Sequence, residues 1–335
     1  MVSLDEISAS NAKFASAFPA GLVGVFVGAT SGIGYGTLKA FAKHTVQPRA
    51  YFVGRSQSAA NAISAECQEL NPGGEYIFIQ ADVSLIKVVD DVCSQIREKE
   101  SALNILCLSQ GQPSLDRSVT TEGLHLLAAL GSYSRLRFMS NLLPLLKKGE
   151  SLRRVLTVGA GGFEGQVDTS DFPALRIPHE QIRGHLASVM TFGLEAVSRD
   201  SPNVSFIHSY PGAVNTPLTR QLLASGNAAP IKIPVLEDWL SPEESGERHI
   251  FLLTSSRYPP RARDESTSLG TSDDSIARGI DGQVGSGVYS VGVDGENVST
   301  ETIDFLAELR GQGIVDKLWE HNQGEFKRIT AANGL

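Results

Sequence analysis

The chain has 335 residues, of which 41% are hydrophobic and 33 are glycine. That size suits one large α/β domain, or one domain with extensions. The charge sum, 29 basic against 37 acidic residues for a net −8, argues against a nucleic-acid surface or an anionic-membrane surface as partner. Three cysteines, Cys67, Cys93 and Cys107, with no CxxC pair, argue against a disulfide framework or a zinc ribbon. The first twenty residues lack a basic region and a long apolar run, so no signal peptide is expected. No stretch reaches ~18 apolar residues, so no membrane span is expected either. The expected location is cytoplasmic.

In chain order, short β-branched apolar runs alternate with helical patterns. Strands are predicted at 22–27, 50–53, 76–79, 103–108, 154–158 and 204–208. Between them the helical period appears at 33–44, 57–70, 84–99, 121–147 and 179–199. This alternation implies a doubly wound, Rossmann-type parallel sheet in the order 3-2-1-4-5-6-7. The seventh strand is the alternating segment 287–293, and 314–329 reads as a terminal amphipathic helix. The organisation is then a lead at 1–21, a dinucleotide-binding and catalytic domain at 22–256, and a long flexible loop at 257–285. Residues 286–335 complete the same domain. The basic residues Lys147, Lys148, Arg153 and Arg154 read as a solvated face.

Between the first strand and helix stand Gly28, Ala29, Thr30, Ser31, Gly32, Ile33 and Gly34. In a glycine-rich strand-to-helix turn, one glycine permits the tight turn. Another lets backbone approach a diphosphate, and the last lets helix and strand pack closely. The helix N-terminus adds amide donors. At the end of the second strand, Arg55 stands where an acid would bind a free ribose hydroxyl. Its fork suits a 2′-phosphate, so NADP(H) is the expected cofactor. No metal motif is present.

These residues resemble the TGxxxGIG pattern of the short-chain dehydrogenase/reductase family, with Val27 in place of the threonine. The resemblance spans 22–216. It implies adenine contact by Asp82 and Val83, although Asp82 reads equally well as a helix cap. It implies a backbone role for Ser109 and Gly111, where only the glycine of the family's NNAG is kept. It also implies that Pro211, Gly212 and Thr216 hold the nicotinamide end. Segments 184–191 (GHLASVMT), 318–321 (LWEH) and 326–329 (FKRI) resemble a divergent fungal group, which implies a place in secondary metabolism. The resemblance further implies a homodimer through the helices at 121–147 and 179–199.

The family's catalytic set is missing. Its serine position falls on Gly159 or Ala160, and its asparagine position near Gly131. No tyrosine or lysine occurs between Val167 and Ser209. Three substitutes present themselves. His179 and Arg183, four residues apart, offer a titratable base one helical turn from a fixed charge. Tyr133 is a central phenol able to donate a proton. His185 is a rival that also reads as a packed core histidine, and Ser188 and His208 stand nearby. The leading function is an NADP(H)-dependent oxidoreductase acting on a carbonyl or alcohol of a small organic molecule. The alternatives are a non-redox isomerase, cyclase or dehydratase on the same fold, or a cofactor-binding protein without turnover.

Overall fold

The computed structural model describes residues 2–112, 116–224, 239–262 and 276–331. Seven parallel strands form one sheet in the order β3-β2-β1-β4-β5-β6-β7. They are β1 (Val23–Val27), β2 (Arg49–Gly54), β3 (Glu75–Gln80), β4 (Ile105–Leu108), β5 (Arg154–Val158), β6 (Ser205–Ser209) and β7 (Val288–Val291). Successive side chains of a strand point to opposite faces. Here both faces are apolar, as a covered parallel sheet requires. Val25, Val27, Leu106 and Leu108 enter one core; Phe26, Ile105 and Cys107 enter the other.

The helices are α1 (Leu4–Ala12), α2 (Phe14–Ala17), α3 (Gly32–His44), α4 (Gln57–Leu70) and α5 (Ile86–Lys99). Then α6 (Leu126–Ala128) runs through a π-turn (Ala129–Tyr133) into α7 (Ser134–Leu146). They are followed by α8 (His179–Ser198), α9 (Pro217–Ala224), α10 (Pro242–Thr254), α11 (Thr300–Gly311) and α12 (Ile314–Ala331). On one face α3 and α10 touch backbone to backbone: a Cβ on Gly36 would run into Pro242, and one on Gly246 into Gly36.

The structure departs from the sequence reading in five places. The lead at 1–21 is not a plain lead. Ser3 and Glu6 form a reciprocal capping box that starts α1, and Ile7, Phe14 and Phe18 are buried. The helix expected from residue 121 starts only at Leu126, because Gly123, at φ +82°, turns the chain first. Of the loop at 257–285, residues 263–275 lie outside the described residues. Its flanks are packed: Tyr258 and Ile280 are buried, and Ala277 N–H donates to Arg257 O at 2.7 Å. Arg154 is buried rather than solvated, donating to Leu252 O at 2.7 Å. All three cysteines are free and buried.

The fifth departure concerns the dimer. The face formed by α5, α7 and α8 carries the chain's own α12. Leu318, Phe326 and Ile329 of α12 join the same core as Leu136, Phe138 and Val189. Arg310 of α11 forks onto Glu195 of α8 at 2.8 Å. The Arg137 guanidinium lies 5.1 Å from the Phe326 ring centroid. Leu124 and Leu130, from the segment expected to meet a partner, are buried within the protein. Leu318 is fully buried, so Leu318→Ala is expected to cost about 2–5 kcal/mol. Urea unfolding measures this, and a loss below about 1 kcal/mol would show that α12 is a loose appendage.

Candidate active site

A cleft of about 260 Å³ opens along the C-terminal ends of β1, β2, β3 and β4. In an open α/β sheet this is where ligands bind. Its floor is the turn from β1 to α3. Gly28 has φ +80°, and a Cβ there would lie 2.6 Å from Gln110 N. A Cβ on Gly34 would lie 2.7 Å from Gly28 O and against the Ser109 hydroxyl. The N-cap residue of α3, Ser31, makes no side-chain cap bond. The first amides of α3 thus lack an intrahelical acceptor and are free to donate to an anion. Thr30, Ser31, Gly32 and Ile33 also line the cleft. The absence of Cβ atoms and the free helix amides fit a dinucleotide diphosphate.

At one end stand Arg55, Ala81, Asp82 and Val83. Arg55 is exposed, and its guanidinium has no hydrogen bond or ion pair among the described residues. Asp82 does not cap the next helix. Among the described residues its carboxylate accepts only from Ser84 N, at 3.1 Å. Helix α5 is capped instead by Glu122 from a distant loop, which accepts from Ile86 N and Lys87 N at 2.5 and 3.0 Å. The Asp82 carboxylate is thereby left at the cleft wall.

At the other end are Ser109, Gln110, Gly111, Gln112, Leu126, Leu130 and Thr216. Pro211 lines a separate cavity of about 20 Å³ beside His249 and Phe251. Gly212 is required at φ +75° by the packing of Val293, 2.7 Å from where its Cβ would be. Neither lines the main cleft. Sequence reasoning missed Gln110, Leu126 and Leu130, which no motif marks.

The expected catalytic residues do not come together. Tyr133 is buried and faces away, against α12: its hydroxyl pairs with His321 Nε2 at 2.7 Å. Burial, ahead of the nearby Glu325 and Asp171 charges, raises its pKa, which makes it a weaker acid than an ordinary phenol. His179 is exposed and accepts from Arg117 Nε at 3.4 Å. Arg183 lies instead on the Phe163 ring, 3.4 Å from its centroid, so the pair separates. His185 is packed, with Nδ1 accepting from Asp168 N and Nε2 against Phe172 O. Burial lowers its pKa. Ser188 donates to Gly165 O at 2.6 Å. Among the described residues, the cleft lining contains no tyrosine, lysine or histidine.

The vacated positions have different fates. Where the family serine would stand, a Cβ on Gly159 would lie 2.7 Å from His208 Nε2. The imidazole has taken that space. Its Nε2 accepts from Ala160 N at 3.0 Å. The proton then sits on Nδ1, which faces Thr191 Oγ1 at 2.9 Å. Thr191 donates onward to Glu164 at 2.8 Å, and Ser290 donates to the same oxygen at 2.6 Å. At Gly131 a Cβ would meet nothing within 4 Å, so that position is left unfilled within the π-turn. Between them lies Arg135, buried and without an acidic partner among the described residues. It donates to Gln110 O at 2.6 Å, Thr157 Oγ1 at 2.6 Å and Val158 O at 2.7 Å. Arg135 thus ties the ends of β4 and β5 together with a fixed cation.

No group of three or more His, Cys, Asp or Glu among the described residues is arranged to hold a metal. Among them, no helix is long and apolar enough to cross a membrane.

Comparisons with known proteins bear on the family and the fold. Residues 23–165 match the family model for short chain dehydrogenases. The chain is 37% identical to the oxidoreductase AN1596 of Emericella nidulans, over 96% of this chain and 97% of that protein. It is 30% identical to the short-chain dehydrogenase/reductase SAT2 of Stachybotrys chartarum, over 93% and 94%. In fold it is similar to an alcohol dehydrogenase from Thermococcus sibiricus solved with 5-hydroxy-NADP. The TM-score is 0.54 at 20% identity, covering 74% of this chain and 94% of that one.

Proposed function

The chain belongs to the short-chain dehydrogenase/reductase family, and from that premise we propose that it is an NADP(H)-dependent oxidoreductase acting on a carbonyl or alcohol of a small organic molecule in secondary metabolism. The observation that carries this reading is the cleft itself. It joins a turn with no room for Cβ atoms at Gly28 and Gly34, fit for a diphosphate, to an arginine after the second strand that is unpaired among the described residues. Gly28, Gly32 and Gly34, with the amides of α3, would hold the diphosphate. Arg55 would pair the 2′-phosphate, and Asp82 and Val83 would flank the adenine. Ser109, Gly111 and Thr216 would border the nicotinamide end. The Thermococcus sibiricus neighbour, solved with an NADP derivative, supports the same cofactor class.

A bound nicotinamide supplies or accepts the hydride. The residues here would position it, and the floor is held by Arg135, which ties Gln110 to Val158 at the ends of β4 and β5. With no phenol or ammonium among the described residues of the lining, the substrate oxygen would exchange its proton with water or with a group of the substrate, at a cost in rate. NADPH oxidation over a panel of aldehydes and ketones tests this reading.

Arg55→Ala is expected to weaken NADPH by about 10- to 100-fold, as befits the loss of a charge-assisted fork. NADH binding should change by less than about twofold. If the wild type binds NADH more tightly than NADPH, the cofactor assignment fails.

The vacant serine, tyrosine and lysine positions favour a second reading, a non-redox isomerisation, cyclisation or dehydration on the same scaffold. Product formed without NADPH consumption identifies it. Cofactor binding with no product at all identifies a sensor.

A further inference from the structure

Off the C-terminal ends of β5 and β6 lies a cluster that the cofactor reading does not use. Arg183 of α8 stacks on Phe163, with 3.4 Å from guanidinium carbon to ring centroid, and sits 5.1 Å from the centroid of Tyr210. The two rings meet edge to face at 4.7 Å. Phe163 follows β5 and Tyr210 follows β6, so the cluster shares the sheet edge that carries the cleft.

Arg183 makes no hydrogen bond or ion pair among the described residues. Stacking fixes the plane of a guanidinium but occupies only its face, so the in-plane N–H donors stay available. An acid-free arginine held flat on aromatic rings is arranged to receive a planar anion edge-on.

Exposed apolar residues occur at this end of the sheet. Phe163 is 39% exposed, Leu218 42%, Leu223 38% and Val293 38%. These four follow the C-terminal ends of β5, β6 and β7, and they are among the nine large hydrophobics exposed in the described residues. A cation seated on a part-exposed phenyl ring, with Val293 and Tyr210 lining one small cavity, describes a site for a molecule with an apolar body and one anionic group.

We propose that Arg183, on its Phe163–Tyr210 shelf, is the substrate-recognition residue of this protein, and that it selects amphipathic organic acids by pairing with their carboxylate. The proposal rests on the oxidoreductase reading for the location of the substrate. It adds the substrate class and reassigns Arg183 from the catalytic role suggested by its spacing from His179 to one in binding.

Benzoylformate and 4-phenylbutanoate, each beside its methyl ester, are the probes. Calorimetric titration of the NADP⁺-loaded protein is expected to show each acid binding about tenfold or more tightly than its ester, the yield of one charge-assisted fork. The preference should shrink as salt rises from 0.05 to 0.5 M, as expected for a part-exposed charge pair. In Arg183→Gln it should fall to within about twofold while the esters bind as before, and Arg183→Lys should keep part of it. Equal binding of acid and ester by the wild type, no binding of either acid, or a preference that survives Arg183→Gln overturns the proposal. The cofactor titration is run separately. Failure there sinks the oxidoreductase reading, and the acid–ester comparison on the cofactor-free protein still decides the role of Arg183.

Discussion

Gly28→Ala is expected to weaken NADPH binding by about 100-fold or more and to cost about 3 kcal/mol of stability. Two independent effects add. Gly28 has φ +80°, a left-handed conformation that an L-residue adopts only with strain. Its missing side chain is also where the next strand passes: a Cβ would stand 2.6 Å from Gln110 N and 2.8 Å from Gln110 Cα. Those are backbone atoms held by β4 and by the Arg135 contact to Gln110 O, so the clash is relieved only by spreading β1 from β4. That displaces the amides that would meet the diphosphate. Gly111 provides the control. It lines the same cleft, but a Cβ there meets nothing within 4 Å, so Gly111→Ala should leave stability within about 0.5 kcal/mol. Fluorescence titration with NADPH and urea unfolding of both variants decide the matter. Equal behaviour of the two would refute the close-packed cradle.

Stability is expected to fall steeply below pH 6.5, through two buried histidines. Burial, ahead of the Arg135 charge, pushes His208 down to about 3. Geometry enforces the direction, because protonating Nε2 would set it against the Ala160 N–H that it accepts. Burial likewise pushes His249 down to about 4. Its Nδ1 contacts Ser245 O at 2.5 Å, and its Nε2 is buried without a partner among the described residues. In the unfolded chain both titrate near 6.5. Their folded values are lower, so below 6.5 the unfolded state binds more protons. The neutral form is accommodated at no proton-linked cost above 6.5. Below it each histidine removes about 1.4 kcal/mol per pH unit, until the folded value is reached. Together they predict a slope of about 2.7 kcal/mol per unit between pH 6 and pH 4. Urea unfolding at several pH values measures the slope. His208→Gln should lower it by about half, whatever it does to stability at pH 7. An unchanged slope would place the acid sensitivity elsewhere.

The strands and their order were legible because a strand covered on both faces must be apolar throughout, and segments such as 105–108 (ILCL) have little other reading. The nucleotide turn was legible because its glycines are demanded by contacts within the turn and with the adjoining strands. The catalytic end was not, because its contacts are remote in the chain. Tyr133 faces away from the cleft on account of His321, 188 residues on. Glu164 is fixed by Ser290, 126 residues away. Arg183 left His179 for an aromatic pair supplied by two different strand ends. A spacing of four residues places two side chains on one helix face, but what that face meets decides whether they touch. The N-terminal helices were legible in principle through Ser3 and Glu6, whose spacing is that of a capping box. Their sparse apolar stripe hid them.

Helix α12 carries a consequence for how this protein reaches its native state. A surface completed by a second chain is buried only as fast, and only as fully, as the concentration of that chain allows. Here the covering element is tethered to the surface it covers, so closure is a first-order event at a fixed effective concentration. The apolar face of α5, α7 and α8 is therefore shielded to the same extent at trace abundance as in a dense cell. During synthesis, however, it must wait for α12 to be made.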